Sequence, residues 1–339
     1  MQGQSAAQTK THESGNPLER MAHLLHDDMK KVNELILQHM KSEVPMIPRL
    51  AGYLIASGGK RIRPLMTLAA TRLFDAGTPR PHALAAAVEF IHTATLLHDD
   101  VVDESAERRG NPSANVVYGN QASVLVGDFL FSRSFQLMVE DGSLDVLRIL
   151  SDAAAVIAEG EVLQLSFAND MTLTLGQYEK IIGCKTAALF AAACEIGPVI
   201  AGQDEGAIKA LRDYGYNLGM AFQIADDVLD YTADQDRLGK TVGDDFREGK
   251  LTAPVIYALA DADEGEKAFW QRTMEDRIQR EEDLPRALEI LRKHKAFQRG
   301  MDLARAYARK AQENLKDAPG GELCDLLKDL TTFTVDRAY

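Results

Sequence analysis

Residues 187–193 read Ala-Ala-Leu-Phe-Ala-Ala-Ala, and no polar side chain interrupts them. A helix apolar on every side is buried on every side, so this stretch belongs at the centre of a bundle. Leu84–Leu97 has a similar character, broken only by Glu89, His92, Thr93 and Thr95. Outward from these segments the apolar residues recur at three- and four-residue spacing. Leu24, Leu25, Met29, Val32, Leu35, Ile36 and Met40 form one such stripe, which predicts an amphipathic opening helix. Spacing predicts further helices near 43–56, 60–75, 81–103, 115–140, 143–169, 174–200, 204–231, 251–260, 265–279 and 283–316. Their breaks fall at Gly58-Gly59, Gly77 with Pro79 and Pro81, Gly110 with Pro112, Asp141-Gly142 and Gly202. The fold class is all-α: one helical bundle over 17–339, preceded by a polar tail, 1–16, that reads as disordered.

Composition narrows the function. The chain has 38 Lys+Arg against 51 Asp+Glu, a net charge of −13, which argues against a general nucleic-acid binder. No uninterrupted apolar run reaches the roughly 20 residues of a membrane span. Cys184, Cys194 and Cys324 form no Cys-x-x-Cys pair, so reduced thiols in a cytoplasmic compartment are expected, not a disulfide framework or zinc site.

Two aspartate clusters carry the chemistry. Leu97-His98-Asp99-Asp100-Val101-Val102-Asp103 and Ile224-Ala225-Asp226-Asp227-Val228-Leu229-Asp230 both have the form Asp-Asp-x-x-Asp after an apolar helix. Residues i and i+4 share a helix face, so Asp99 with Asp103, and Asp226 with Asp230, each present two carboxylates together. Such acids repel unless a cation joins them, and hard oxygens without sulfur or nitrogen neighbours favour Mg²⁺. Basic residues stand nearby. Lys60, Arg61 and Arg63 lie at a predicted helix start, Arg108 and Arg109 follow the first cluster, and Lys240 and Lys250 follow the second. Lys185-Thr186 opens the apolar run and needs an anionic partner. A diphosphate held by both metal and Lys/Arg fits that set. Glu89-x-x-His92 has the spacing of a di-iron carboxylate site, but no second Glu-x-x-His exists to complete one. His98 reads as a packing residue.

The ordered motifs resemble those of the trans-type (head-to-tail) polyprenyl diphosphate synthases. They are GGKRIRP (58–64), LLHDDVVDESAERRG (96–110), VGDFL (126–130), GEVLQL (160–165), KT (185–186), FQIADDVLDY (222–231) and GKTVGDDFREGK (239–250). The resemblance implies a homodimeric bundle around a deep apolar cavity. It also implies condensation of isopentenyl diphosphate with an allylic diphosphate. By this resemblance Asp99, Asp103, Asp226 and Asp230 hold Mg²⁺. Arg108, Lys185 and Lys240 meet the allylic diphosphate. Lys60, Arg61, His92 and Arg109 meet isopentenyl diphosphate, and Lys250 joins the substrate-binding set. Gln223 and the Thr186 carbonyl face the carbon that gains positive charge.

Chain length is read from the residues ahead of the first cluster. Short-chain members place an aromatic four or five residues before the first Asp; here stand Ala94 and Thr95. Phe129, Phe131, Phe135 and Met138 offer a deeper floor, with Met138 about 15 Å along the axis from Asp128 at about 1.5 Å per residue. An octaprenyl to decaprenyl product from a farnesyl or geranylgeranyl primer follows, with a ubiquinone side chain as its use. The alternatives are a shorter-chain synthase, an inactive partner subunit of a heteromeric synthase and a terpene cyclase. The cyclase would not need Lys60, Arg61 and Arg109, and an inactive subunit normally lacks one or both clusters. A peripheral hand-off of the apolar product at a membrane stays open. Gln164 stands where farnesyl diphosphate synthases carry an Asp, and Arg337 is the one basic residue of the last five.

Overall fold

Asn16 opens the first helix by accepting the Glu19 amide, and the Glu19 carboxylate accepts the Asn16 amide in return. The structure is a computed structural model and describes residues 15–56, 59–108, 110–232 and 242–336. The expected tail therefore lies outside the described residues except for Gly15 and Asn16. Among the described residues the chain is all-α apart from a short hairpin pairing Glu107–Arg108 with Asn111–Pro112.

The helices run α1 (Pro17–Leu24), α2 (His26–His39), α3 (Met46–Ala56), α4 (Ile62–Arg72), α5 (Arg80–Val102) and α6 (Ala114–Tyr118). They continue as α7 (Asn120–Asp141), α8 (Leu144–Ser166), α9 (Leu175–Ile182), α10 (Ala188–Ile200) and α11 (Glu205–Thr232). The C-terminal part holds α12 (Asp244–Arg247), α13 (Ala253–Ala260), α14 (Glu264–Trp270), α15 (Asp283–Lys293), α16 (Ala296–Asn314) and α17 (Glu322–Asp336).

The run 187–193 lies at the centre, as its composition predicts: every residue but Ala188 is buried, and Phe190 is wholly so. α10 packs on α4, α8 and α11, and α5 lies along α7. One core gathers α1, α2, α4, α5, α7, α8, α10 and most of α17; the other gathers α9 and α12 to α16. α11 feeds both, the first through Leu211, Tyr214 and Leu218, the second through Met220, Ile224 and Val228.

Five expected helices are interrupted, 265–279 among them by a π-helical turn, Gln271–Glu275, after α14. The opening helix breaks at Leu25, whose φ −102° and ψ 18° leave the helical region. Gly119 at φ 85° separates α6 from α7, and Lys295 at φ 53° separates α15 from α16. The expected 174–200 helix holds a π-helical turn, Gly183–Ala187, between α9 and α10. α17 was not anticipated; Cys324, Leu327, Leu330, Thr331 and Thr334 make its buried face. By length and hydropathy alone Asn120–Asp141 and Leu175–Ile200 could cross a membrane, where the sequence reading expected no such run. In the second, 78% of the apolar window is buried inside the bundle, as suits a core helix.

Candidate active site

The two clusters sit at the C-terminal ends of α5 and α11, and Lys250 ties the first of them to the segment after α12. Its ammonium lies 3.0 Å from Asp103 and 2.5 Å from Glu248. Burial opposes that charge, but Asp103, Asp245 and Glu248 together raise the Lys250 pKa. The end of α11 is tied to α12 in turn. The Gly243 amide donates to the Asp230 carbonyl at 2.8 Å, and the Asp245 amide to the Asp230 carboxylate at 3.1 Å.

Within each cluster the middle acid is taken up by the protein. Asp100 is fully buried and receives Arg108 through Nε and Nη2, at 2.8 and 2.6 Å to Oδ1. Asp227, 5% exposed, accepts the Tyr178 hydroxyl at 2.5 Å and the Gln223 amide at 2.7 Å. Gln223 accepts the Thr186 hydroxyl at 2.8 Å. Burial pushes Asp99 up to about 7, with Glu161 and Asp103 adding and Lys185 and Arg108 opposing. Burial likewise pushes Asp227 up to about 7 against its Tyr178 and Gln223 hydrogen bonds. Asp245 is raised well above its ordinary value by burial and then by Asp227 and Asp230. The site is therefore rich in hard oxygens and short of positive charge, which is the donor set Mg²⁺ takes. Among the described residues no three such groups already stand in ligating geometry, in keeping with an ion that keeps water and phosphate oxygens in its shell.

Lys185 sits in the π-helical turn and pairs with Glu161 of α8 at 2.7 Å. Two glycines let that turn be gripped. A Cβ on Gly160 would lie 2.6 Å from the Cys184 Cβ, and one on Gly219 would lie 2.7 Å from the Ala187 Cα. α8 and α11 thus close on Lys185 and Thr186 from opposite sequence neighbours, and any larger residue would force them apart.

The basic segment before α4 is held by α5. Arg61 pairs with Glu89, and Arg63 Nη1 lies 3.1 Å from His92 Nε2. Glu89 and His92 therefore serve the basic segment and are not an iron pair. Arg61 itself adopts φ 48°, a left-handed conformation that costs a non-glycine residue about 1 kcal/mol or more. His98 contacts the Val124 carbonyl at 3.2 Å and Asp128 at 3.4 Å, in the space Gly127 leaves open. Arg109, Lys240 and Arg337 lie outside the described residues.

Ala94 is fully buried, and Thr95 turns its hydroxyl onto the His92 carbonyl at 2.8 Å. Met138 is buried, whereas Phe135 is 37% exposed and lines an open pocket of about 430 Å³ with His39, Arg133 and Val139. Phe135 stands where the buried and exposed faces of α7 meet.

With this geometry established, the comparisons are decisive. Residues 44–291 match the model of the polyprenyl synthetase family. The chain belongs to that family. It is 44% identical over 322 residues to the octaprenyl diphosphate synthase of Haemophilus influenzae, covering 95% of this chain and 98% of that one. The crystal structure of a decaprenyl diphosphate synthase from Rhodobacter capsulatus superposes with a TM-score of 0.91 at 51% identity, over 95% of this chain and 100% of that one. A polyprenyl synthase from Caulobacter crescentus, solved with calcium and isoprenyl diphosphate, gives 0.92 at 51% identity, over 97% and 100%. As a polyprenyl synthetase with relatives of this kind, the chain is a prenyltransferase of the long-chain group.

Sequence reasoning missed Glu161, Glu89, Asp245 and Tyr178. Glu161 and Asp245 stand inside recognised motifs, and Glu89 was weighed only as an iron ligand. Tyr178 had no local signal.

Proposed function

We propose that the chain extends a farnesyl or geranylgeranyl diphosphate primer with isopentenyl diphosphate to an octaprenyl, nonaprenyl or decaprenyl diphosphate. The product would supply the side chain of ubiquinone. The observation that carries the reading is the convergence of the two carboxylate clusters, Asp103 held by Lys250 and Asp230 by the amides of Gly243 and Asp245, with excess acid at Asp99 and Asp245. Asp99 and Asp103 on one side, and Asp226 and Asp230 on the other, would hold Mg²⁺. When bound, Mg²⁺ neutralises the leaving diphosphate and so weakens the allylic C–O bond.

The chain's own residues do the rest. Lys185 and Lys240 would bind the allylic diphosphate, Lys185 by giving up Glu161, and Arg108 would join them only by giving up Asp100. Lys60, Arg61, His92 and Arg109 would bind isopentenyl diphosphate, with Arg61 already aimed by Glu89. Gln223 and Thr186 would present oxygen to the carbon gaining positive charge, a fixed dipole in place of water. Buried Ala94 and the small Thr95 leave room for the growing chain, which excludes water that would quench the cation. The final proton has no side-chain acceptor in this reading and leaves with diphosphate.

We treat 17–339 as one folded unit in a homodimer, the exposed apolar Leu125, Phe135 and Val139 of α7 facing a second copy. A cytoplasmic location fits the free thiols of Cys184, Cys194 and Cys324. The test is a product-length assay with purified protein, Mg²⁺, labelled isopentenyl diphosphate and farnesyl diphosphate. An octaprenyl-to-decaprenyl product is expected. Termination at geranylgeranyl diphosphate would overturn the chain-length reading, and no condensation by folded protein would point to a partner subunit.

A further inference from the structure

The hydrogen bonds beneath the second cluster converge on Asp227 from two sides. The Thr186 hydroxyl donates to Gln223 Oε1 at 2.8 Å, Gln223 Nε2 donates to Asp227 Oδ1 at 2.7 Å, and the Tyr178 hydroxyl donates to Asp227 Oδ2 at 2.5 Å. Three elements meet here: the π-helical turn, α11 and α9. Both oxygens of Asp227 are thereby committed to protein donors. Gln223 and Asp227 are four residues apart on one helix face, where such pairs meet. Tyr178, 3% exposed, comes from another helix and closes the chain from behind.

The chemistry of the three acceptors dictates one orientation of the Gln223 amide. An ionised carboxylate can only accept, so Asp227, which takes the Tyr178 hydroxyl at its other oxygen, faces the NH₂ end. A flipped amide would set its oxygen against the carboxylate and its NH₂ beside Thr186, with two acceptors in repulsive contact. The observed sense leaves Oε1 on the Thr186 side with a second lone pair available. Tyr178 matters because a carboxylate held by one donor can rotate about its side-chain torsions. One held at both oxygens from two helices cannot.

We propose that Tyr178 is a positioning residue for prenyl transfer: through Asp227 it locks the Gln223 amide with its oxygen turned to the reacting carbon. Asp227 then differs from Asp226 and Asp230 in orienting an amide and not ligating metal. This inference rests on the placement of Gln223 and Thr186 beside that carbon.

The experiment compares Tyr178→Phe, Tyr307→Phe and Gln223→Leu in the full-length protein, with kcat, both KM values, Mg²⁺ half-saturation and Tm read for each. Tyr307 donates to Glu179 at 2.9 Å, so its variant deletes a similar hydroxyl–carboxylate bond away from the clusters. Tyr178→Phe should lower kcat about tenfold, the low end for loss of an orienting partner. Its KM values and Mg²⁺ half-saturation should stay within about twofold, and Tyr307→Phe should keep its kcat. If kcat falls only in proportion to the unfolded fraction, or does not fall while Gln223→Leu is impaired, Tyr178 has no positioning role. A raised Mg²⁺ half-saturation would make Asp227 a metal ligand and overturn the proposal. If Gln223→Leu is fully active, the placement of Gln223 itself fails. Asp227→Asn guards against misfolding of the tyrosine variant. Its amide can donate as well as accept, so it should lose kcat in the same way, and unchanged kcat there would equally overturn the proposal.

Discussion

Asp28 and Asp227 are equally buried, each 5% exposed, yet their environments drive them in opposite directions. For Asp28 burial alone would raise the pKa, but His82 and Arg72 outweigh it and hold the carboxyl below its ordinary 3.8. His82 lies 2.8 Å from Oδ1, and Arg72 reaches Oδ2 at 2.8 Å. Asp227 has two neutral donors in place of those bases, and burial leaves it at about 7. The same division runs through the molecule. Asp283 with Arg272, and Glu266 with Lys293 and His294, are lowered like Asp28. Asp99 and Asp245 are raised like Asp227. Structural acids bring their own cations; around the two clusters burial goes unmatched, at Asp99 and Asp245 beside the proposed metal sites and at Asp227 between neutral donors. That distinction, more than the count of aspartates, marks the site.

The largest expected effect breaks the comparison on the site side. Asp99→Ala or Asp226→Ala should cut turnover by at least about a thousandfold, the scale of losing a preorganised charge contact in the transition state. Metal-free Tm should hold or rise for Asp99→Ala, because a buried carboxylate short of counter-charge has been removed. Incorporation of labelled isopentenyl diphosphate, read beside thermal melts, checks both. Wild-type turnover from either variant would remove the metal–diphosphate assignment.

On the structural side Asp28→Asn should leave kcat intact and cost about 3 kcal/mol at neutral pH, since it removes one partner of a buried ionic group. The sign with pH is fixed by the direction of the shift. The Asp28 pKa is depressed in the folded state, so its contribution is complete above the unfolded value and is lost as pH falls through the folded one. The stability gap between wild type and variant should therefore be widest near neutrality and close on acidification below about pH 4. Urea melts at several pH values measure it. A gap that stays constant with pH would show that the charge of Asp28 is not what stabilises the junction of α2, α4 and α5.

Much of this was legible in the sequence. The apolar run 187–193 announced its own burial, and the repeated Asp-Asp-x-x-Asp pattern marked the helix ends, because helix periodicity and local charge are properties of neighbouring residues. What escaped reading depends on residues far apart. Tyr178 and Asp227 are 49 positions apart, and Arg61 and Glu89 are 28 apart. No spacing rule connects such pairs. The exposure of Phe135 was equally unreadable, because the stripe Phe131, Phe135 and Met138 lies at the edge of a helix face, where composition does not say which side is buried. The breaks at Leu25 and Lys295 carry no glycine or proline, so nothing local signalled them.

Arg108 gives the smallest and most discriminating prediction, since two assignments compete for one side chain. Resemblance sends it to the allylic diphosphate, while the structure has its guanidinium forked on Asp100 with Nε at 2.8 Å from one oxygen and 3.0 Å from the other. A lysine keeps the charge and loses the fork. If Arg108 mainly neutralises fully buried Asp100, Arg108→Lys should cost about 1–2 kcal/mol in stability, with KM for the allylic substrate within about threefold. If the guanidinium instead swings to the diphosphate during turnover, KM should rise by about tenfold or more with little change in Tm. The bidentate geometry favours the first outcome. Released to the substrate, Arg108 would leave behind a wholly buried carboxylate with no cation, a costly state for a buried charge. Asp100 carries a cation already, and that places it with Asp28 although its neighbours in sequence stand with Asp227.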